Sequence, residues 1–521
     1  MALLKAHPRM IHGLAVDHID WRWPEYGAVA DNSTNCKAAF DAAFAAAKAS
    51  GRPLFLGSGR FHISSNLNQM VVADQTDVLI YGAGRDVCYI RFSTSCTKGL
   101  DFSSTTSTAN ALPRFELRGV TLTTSAENIG PALKCAWAIS SDIEDPFALE
   151  DVTIQGDIRQ LADDASDYGY WSGGVLLSNC RNSSINEFRF TGEMDRASNK
   201  TAYCFKLQGE CTSFTISHGL ILEAEKGIVV DGATEGLYIH ATDIVSVNIG
   251  IDYNPSGALE PQVVFTAGHI AAMQVAVDLY DLRYFRVSDS FFLGKSGFGS
   301  HNASQNWIGV RVTGSLSGWG VIDAEFSKED GHGSGGATST GVSIVNGDGI
   351  EVRGSVHAYD AADPIDYGVR FASGVTRSYA NIQTRNVTTD YDFTAADGNT
   401  VIRRNASEMQ VLGGSNQYLT ILGAAAAYLK LYDSGGGSNL KEGRLLFDGG
   451  VIQLLQINDN GTTKATPLSI DASGNVTLRP GASITPAANG DLTIEATNNT
   501  TATIKLKGSD GTVRSGTVTL T

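Results

Sequence analysis

Two carboxylates two residues apart, Asp323 and Glu325, are the residues of this chain whose type and spacing most directly suggest chemistry. On a β-strand, residues i and i+2 project from one face, roughly 6.6 Å apart. Hydrolysis of a glycosidic bond needs two carboxyl groups flanking it, about 5–5.5 Å apart for retention and about 6.5–9.5 Å for inversion. Around this pair the sequence offers cations and further acids. Glu351 and Arg353 fall one repeat later, and Arg286 one repeat earlier. A second constellation, Tyr238 and His240 with Arg286 two repeats on, could instead supply a base and a cation for β-elimination next to a uronate carboxylate. Both sets also suit a solvated strand surface.

The loop Asp163 to Trp171 (DDASDYGYW) gathers three acids with Tyr168, Tyr170 and Trp171. Rings stack on the CH faces of sugars and carboxylates accept from hydroxyls, so the loop is a candidate glycan contact. Equally, it is an insertion that packs its aromatics on a wall of the fold. Trp307 and His301 carry the same two readings. His218 and His269, near strand ends, read as hydrogen-bonding residues rather than bases. Asp163, Asp164 and Asp167 lack calcium-loop spacing, and no Cys/His pattern fits a metal, so neither metal nor cofactor is expected. The Gly-x-Gly matches at Gly82–Gly84 and Gly331–Gly333 open no helix after a strand, which argues against nucleotide binding.

These residues need an element that repeats. From about Arg114 a two-part unit recurs, a glycine-led strand followed by an alternating strand. The first parts begin at Gly174, Cys204, Gly227, Gly250, Ala276, Gly309, Gly341 and Gly368, separated by 30, 23, 23, 26, 33, 32 and 27 residues. Such a period describes a solenoid, because each unit can bury its apolar face only against its neighbours. Within the second parts Ile216, Ile239, Phe265, Val287, Ile322, Val352 and Ile382 are expected to stack inward. Thr215, Tyr238, Val264, Arg286, Asp323, Arg353 and Gln383 should face out. Insertions fall at Gly294 to Trp307, Lys328 to Thr340 and Ala358 to Tyr367, so extra loops should decorate one side. One helix is expected, Asn35 to Ser50, with Ser33, Thr34 or Asn35 as cap and Gly51 beyond its end.

Composition agrees with a β-rich chain: 521 residues, 57 glycines and only 18% charged residues. The net charge of −16 repels phosphate backbones, so nucleic acid is an unsuitable partner. Seven cysteines show no pairing pattern and read as reduced thiols of a chain assembled in a reducing cytosol. Met1 to Arg9 has no signal-peptide core and no apolar run reaches spanning length, so no membrane insertion is expected.

The N-terminal motifs carry a resemblance. Pro8–Arg9–Met10–Ile11–His12–Gly13, then Tyr26–Gly27–Ala28–Val29–Ala30–Asp31, Asn32–Ser33–Thr34–Asn35 and Ala39–Phe40, followed by GRPLFLGSGRFHI, resemble the opening of the pectate-lyase-like superfamily. Within it the pattern is similar to phage tailspikes and capsule depolymerases. Gly57 and Ser58 stand where that pattern commonly has Pro and Ala. The stretch from Pro486 to Thr521 resembles terminal modules of phage tail proteins.

This resemblance implies an all-β fold: a right-handed single-stranded parallel β-helix with a small N-terminal helix-containing cap and a β-rich C-terminal trimerisation region. The expected organisation is a virion-attachment segment at 1–20, the cap at 21–110, the β-helix at 111–407, a β-rich domain at 408–465 and a terminal module at 466–521. It further implies a homotrimer on a virion tail, assembled in the host cytoplasm and docked on other tail proteins through its N-terminus. Its ligand would be a bacterial capsule or lipopolysaccharide. Cleavage by hydrolysis, a binding-only or structural role, and cleavage by a lyase all remain open, because this fold precedes each.

Overall fold

The computed structural model describes residues 18–519, apart from 74–75, 106–111, 139–145, 158–168, 194–199, 259, 297–305, 315–317, 330–336, 377, 394–399, 406–407, 413–425, 433–441, 449–450, 458–462, 471–475, 479–491 and 499–500. Residues 1–17, with most of the expected attachment segment, therefore lie outside it. Ile19–Asp20 is already a strand, paired in parallel with Leu54–Gly57, so the fold begins inside that segment.

Short apolar strands separated by turns cannot each bury both faces. They stack instead, and up to Thr400–Asn405 every ladder among the described strands is parallel. The chain is a right-handed parallel β-helix. Its rungs are plain in the two longest strands, Thr212–Asp231 and Glu235–Asn254, which pair along most of their length and bend at left-handed residues. The column Val175–Phe205–Ile228–Ile251–Val277–Val310–Val342–Val369 follows the repeat of glycine-led strands one residue on. The glycines have a steric cause. A Cβ on Gly250 would sit 2.4 Å from the Ala276 carbonyl oxygen of the next rung, and one on Gly309 2.5 Å from that of Gly341.

The inward stack Ile216–Ile239–Phe265–Val287–Ile322–Val352 is present and buried. Its next member is Ala380, however, and Ile382 pairs with Gly354 in a neighbouring column. The strands from Trp307, Ser339 and Ile365 each follow one of the three insertions, so those loops join the same two faces of the coil.

On six rungs a single extra residue turns the chain between two faces. Asp151, Glu187, His218, Ala241, Ala267 and Asp289 occupy equivalent corners, all with φ between +46 and +55°. Asp289 is the extra residue where Ser288 pairs with Asp323 and Ser290 with Ala324. The next rung lacks the extra residue, so Asp323–Ala324–Glu325 pairs without a break onto Arg353–Gly354–Ser355, where Gly354 takes a φ of +111°.

Near the N-terminal end, helix α1, Lys37–Ser50, lays Ala39, Phe40, Ala43 and Ala47 on the coil, with Phe40 edge-on to Trp21 at 5.9 Å. It starts two residues later than expected. Its N-cap is Cys36, without a side-chain cap bond, while Asn35 Oδ1 accepts from the Lys37 N–H at 3.1 Å. Gly51 closes it in the left-handed conformation at φ +65°. All seven cysteines are buried and free, and burial pushes the Cys88 thiol up to about 12.

A separate compact unit spans Asn416–Thr521. It contains a five-stranded antiparallel sheet from Ala426 to Leu478 and a three-stranded one from Leu492 to Thr519. The expected division at 465/466 cuts through the strand Thr463–Ile470 of the first sheet.

Candidate functional site

The corner column borders a groove of about 800 Å³ that crosses six consecutive rungs, from Asp243 to Gln383. Two columns run beside it, the first lining it at Asp323, Arg353 and Asn381 and the second at every position. One runs His240–Thr266–Ser288–Asp323–Arg353–Asn381. The other runs Asp243–His269–Phe291–Glu325–Ser355–Gln383. On rungs with a left-handed corner the two columns are three residues apart, as Ser288 and Phe291 are. Where the extra residue is missing they are two apart. Asp323 and Glu325 thus reach both columns from one straight strand, with buried Ala324 between them.

The groove is acidic. Asp243, Asp289, Asp323 and Glu325 line it, against Arg353 and His269. Arg353 pairs with Glu351 on its own strand, with Nε 2.8 Å from Oε1. Glu325 lies 3.5 Å from His357 Nε2, and the His357 ring stands edge-on to Tyr359 at 5.7 Å. His269 stacks on Phe291 at 5.3 Å, and its Nε2 is buried without a hydrogen-bond partner among the described residues. Burial holds its imidazole below the ordinary value, against the opposing pull of Asp243. The expectation of a satisfied His269 is corrected at that nitrogen.

The remaining expected residues spread over the surface beside this groove. Tyr238, Val264, Arg286, Val321, Glu351 and Tyr379 form a third column. Arg286 is therefore one column away from Asp323, and its Nε donates to Ser288 Oγ at 3.3 Å. His240 shares the Asp323 column three rungs earlier, with Nδ1 3.0 Å from Thr266 Oγ1 and its ring edge-on to His218 at 5.8 Å. The Tyr238 ring folds over Gly236, where a Cβ would meet it at 3.2 Å.

Tyr170 and Trp171 are 2% and 1% exposed, which corrects their expected place at a sugar surface. Trp171 donates from Nε1 to the Gln155 carbonyl at 2.9 Å and meets Phe92 edge-on at 5.5 Å, so its loop end plugs the wall of the coil. Trp307 is likewise buried. Tyr168, His301 and the three loop aspartates lie outside the described residues.

Asp243, Asp289 and His357 were not expected. Asp289 belongs to no alternation, because a corner residue breaks the period of two. Asp243 follows such a corner by two residues. His357 did carry a signal, as it shares its strand with Glu351 and Arg353. Among the described residues no cluster of acids, histidines or cysteines could hold a metal ion, and no helix is long and apolar enough to cross a membrane.

No family model matches the chain, and no curated protein matches it. Solved structures similar to it include the A-module of the mannuronan C-5 epimerase AlgE4 of Azotobacter vinelandii, at 16% identity and a TM-score of 0.48, covering 73% of this chain and 99% of that one. The DFA-IIIase of Arthrobacter chlorophenolicus without its lid is similar at 13% identity and a TM-score of 0.47, covering 73% and 98%. A third is the gp42 tailspike of Acinetobacter phage vb_AbaP_AS12, at 11% identity and a TM-score of 0.40, covering 91% of this chain and 84% of that one. At these values the likeness is one of coil architecture and transfers no individual residue.

Proposed function

We propose that this chain is a tailspike-type protein of a virion tail that binds a bacterial surface polysaccharide across its groove and hydrolyses it, with Asp323 and Glu325 as acid and base. It acts as a homotrimer docked on other tail proteins, as the resemblance of its N- and C-terminal motifs implies. The observation that carries the chemistry is the carboxylate pair on one straight strand of an open groove. Its i, i+2 spacing, roughly 6.6–6.8 Å along the strand, falls in the range of inverting hydrolysis. A lyase would need a cation to hold the developing enolate, and the guanidinium of the groove is already taken by Glu351. The acidic lining also disfavours a densely anionic glycan.

One observation favours a second reading, a binding-only tail adhesin. Glu325 keeps 52% of its side-chain surface in solvent, so nothing around it excludes water as a general acid's pocket does.

Incubation with capsule or lipopolysaccharide from candidate hosts separates these readings. Hydrolysis yields new reducing ends without the ultraviolet absorbance of an unsaturated uronate. Asp323→Asn and Glu325→Gln should then each lower turnover by about 10²–10⁴-fold while binding persists. Absorbance would establish a lyase, and retention without cleavage an adhesin.

A further inference from the structure

The strand that carries Asp323 and Glu325 begins with Trp319, which is 68% exposed. Trp21, Trp137, Trp171 and Trp307 are buried. The register partner of Trp319 on the preceding rung is Tyr284, 40% exposed, and that of Tyr284 is Gln262. On the following side the indole faces Gly349, where an added Cβ would lie 4.0 Å from Trp319 Cδ2, so no side chain rises beside it. Two aromatic rings thus stand in water one rung apart, about 4.8 Å. The coil does not require them there, since equivalent positions on other rungs hold Gly236 and Gln262.

We propose that Trp319 and Tyr284 form a stacking subsite for a pyranose ring of the same polysaccharide whose bond is cleaved over Asp323 and Glu325. This rests on the glycan reading of the groove and adds to it a direction. Trp319, Val321 and Asp323 share the outward face of one strand, which sets the Cα atoms of Trp319 and Asp323 roughly 13–14 Å apart. A ligand that touches both runs along the strand, across the coil, rather than down its axis.

The patch suits a sugar better than a second copy of the chain. Two partly exposed rings offer on the order of 200 Å² of aromatic surface, against about 800 Å² per partner for a stable protein interface. The flanking Gln262 and Arg286 can hydrogen-bond sugar hydroxyls, leaving the rings to the apolar CH face.

The test uses a capsular polysaccharide or lipopolysaccharide that the full-length wild-type protein retains. Trp319→Ala and Tyr284→Ala should each raise KM about tenfold, with the loss falling on KM more than on kcat, and Trp319→Phe should recover part of it. Bound polysaccharide should shield wild-type tryptophan fluorescence from acrylamide, and this protection should vanish in Trp319→Phe. Melting temperature and elution volume should match wild type. Unchanged KM and undiminished protection in the Trp319 variants would overturn the subsite, as would a variant altered only in oligomeric state. A wild-type protein that retains no bacterial polysaccharide would instead fail before any variant is made, and would remove the groove reading and this inference together.

Discussion

Arg353 and Glu351 share one face of a single strand, and the guanidinium closes on the carboxylate with Nε and Nη2 at 2.8 and 2.5 Å from Oε1. That hydrogen bond, with the charge of Glu351 behind it, raises the affinity of Arg353 for its proton. Asp323, its register partner one rung away, adds a weaker attraction for the same cation. Glu351→Ala should free the guanidinium to neutralise Asp323 and lower polysaccharide turnover several-fold. The melting temperature should barely move, because Arg353 is exposed and Glu351 only half-buried, and such pairs contribute little to stability. Turnover equal to wild type would mean that the pair is surface decoration.

The groove stands on an aromatic floor. Phe292 lies between Phe265 and Phe326 on consecutive rungs, at 5.9 and 5.2 Å, and all three are fully buried. Phe292→Ala removes the middle of that stack in a coil whose neighbours cannot close the gap, and should cost about 3–5 kcal/mol. Phe292→Leu keeps most of the volume and should cost less than about 1.5 kcal/mol. Denaturant unfolding of the two variants checks both values. Equal losses would mean that the rings contribute through their geometry rather than their volume.

The rung repeat and most of its inward residues were legible in the sequence, because glycine-led strands and apolar alternation report the rung-to-rung spacing directly. The two columns of the site were not. Their separation depends on whether an extra corner residue is inserted between them, and these corners are filled by Glu187, His218, Ala241, Ala267 and Asp289, which share no side-chain property. Alternation read through such a corner slips by one, which hid Asp243 and Asp289, whereas Ile382 was set two residues out of register, in the same inward phase as Ala380. Asp323 and Glu325 were legible for the opposite reason, since their rung is straight. Tyr170 and Trp171 were misplaced because an aromatic-rich insertion reads the same whether it plugs a wall or faces a ligand.

Ala267 tests the corner geometry. Its φ is +55°, its side chain is exposed, and an L-residue pays roughly 1–2 kcal/mol in that conformation. Ala267→Gly relieves this at an entropic cost of about 0.5–1 kcal/mol, so it should leave stability unchanged or raise it slightly. Ala267→Val should destabilise, since a β-branched residue is a true outlier there. Melting temperatures ordered Gly, Ala, Val from highest to lowest would match the corner. The reverse order would mean that this residue is not held left-handed.

Acidification should weaken the coil through two histidines. Burial holds both His62 and His269 below their ordinary value of 6.5, with Arg91 adding to the effect at His62 and Lys295 at His269. Asp157 and Asp31 oppose it at the first, and Asp243 at the second. The unfolded chain takes up these protons near pH 6.5, whereas the folded chain takes them up only at lower pH. Within that interval the unfolded state holds more protons, so stability falls as pH falls. Asp31, held low by its Thr34 hydrogen bonds, protonates below that interval, as does Asp20, in which the bonds from Arg22 outweigh burial. The melting temperature should therefore be level above neutrality and decline below about pH 6.5. The His62→Gln, His269→Gln double variant should lose much of that decline while its own melting point near pH 7.5 stays within a few degrees of wild type. A decline of undiminished slope in the double variant would show that protonation elsewhere governs the acid limb.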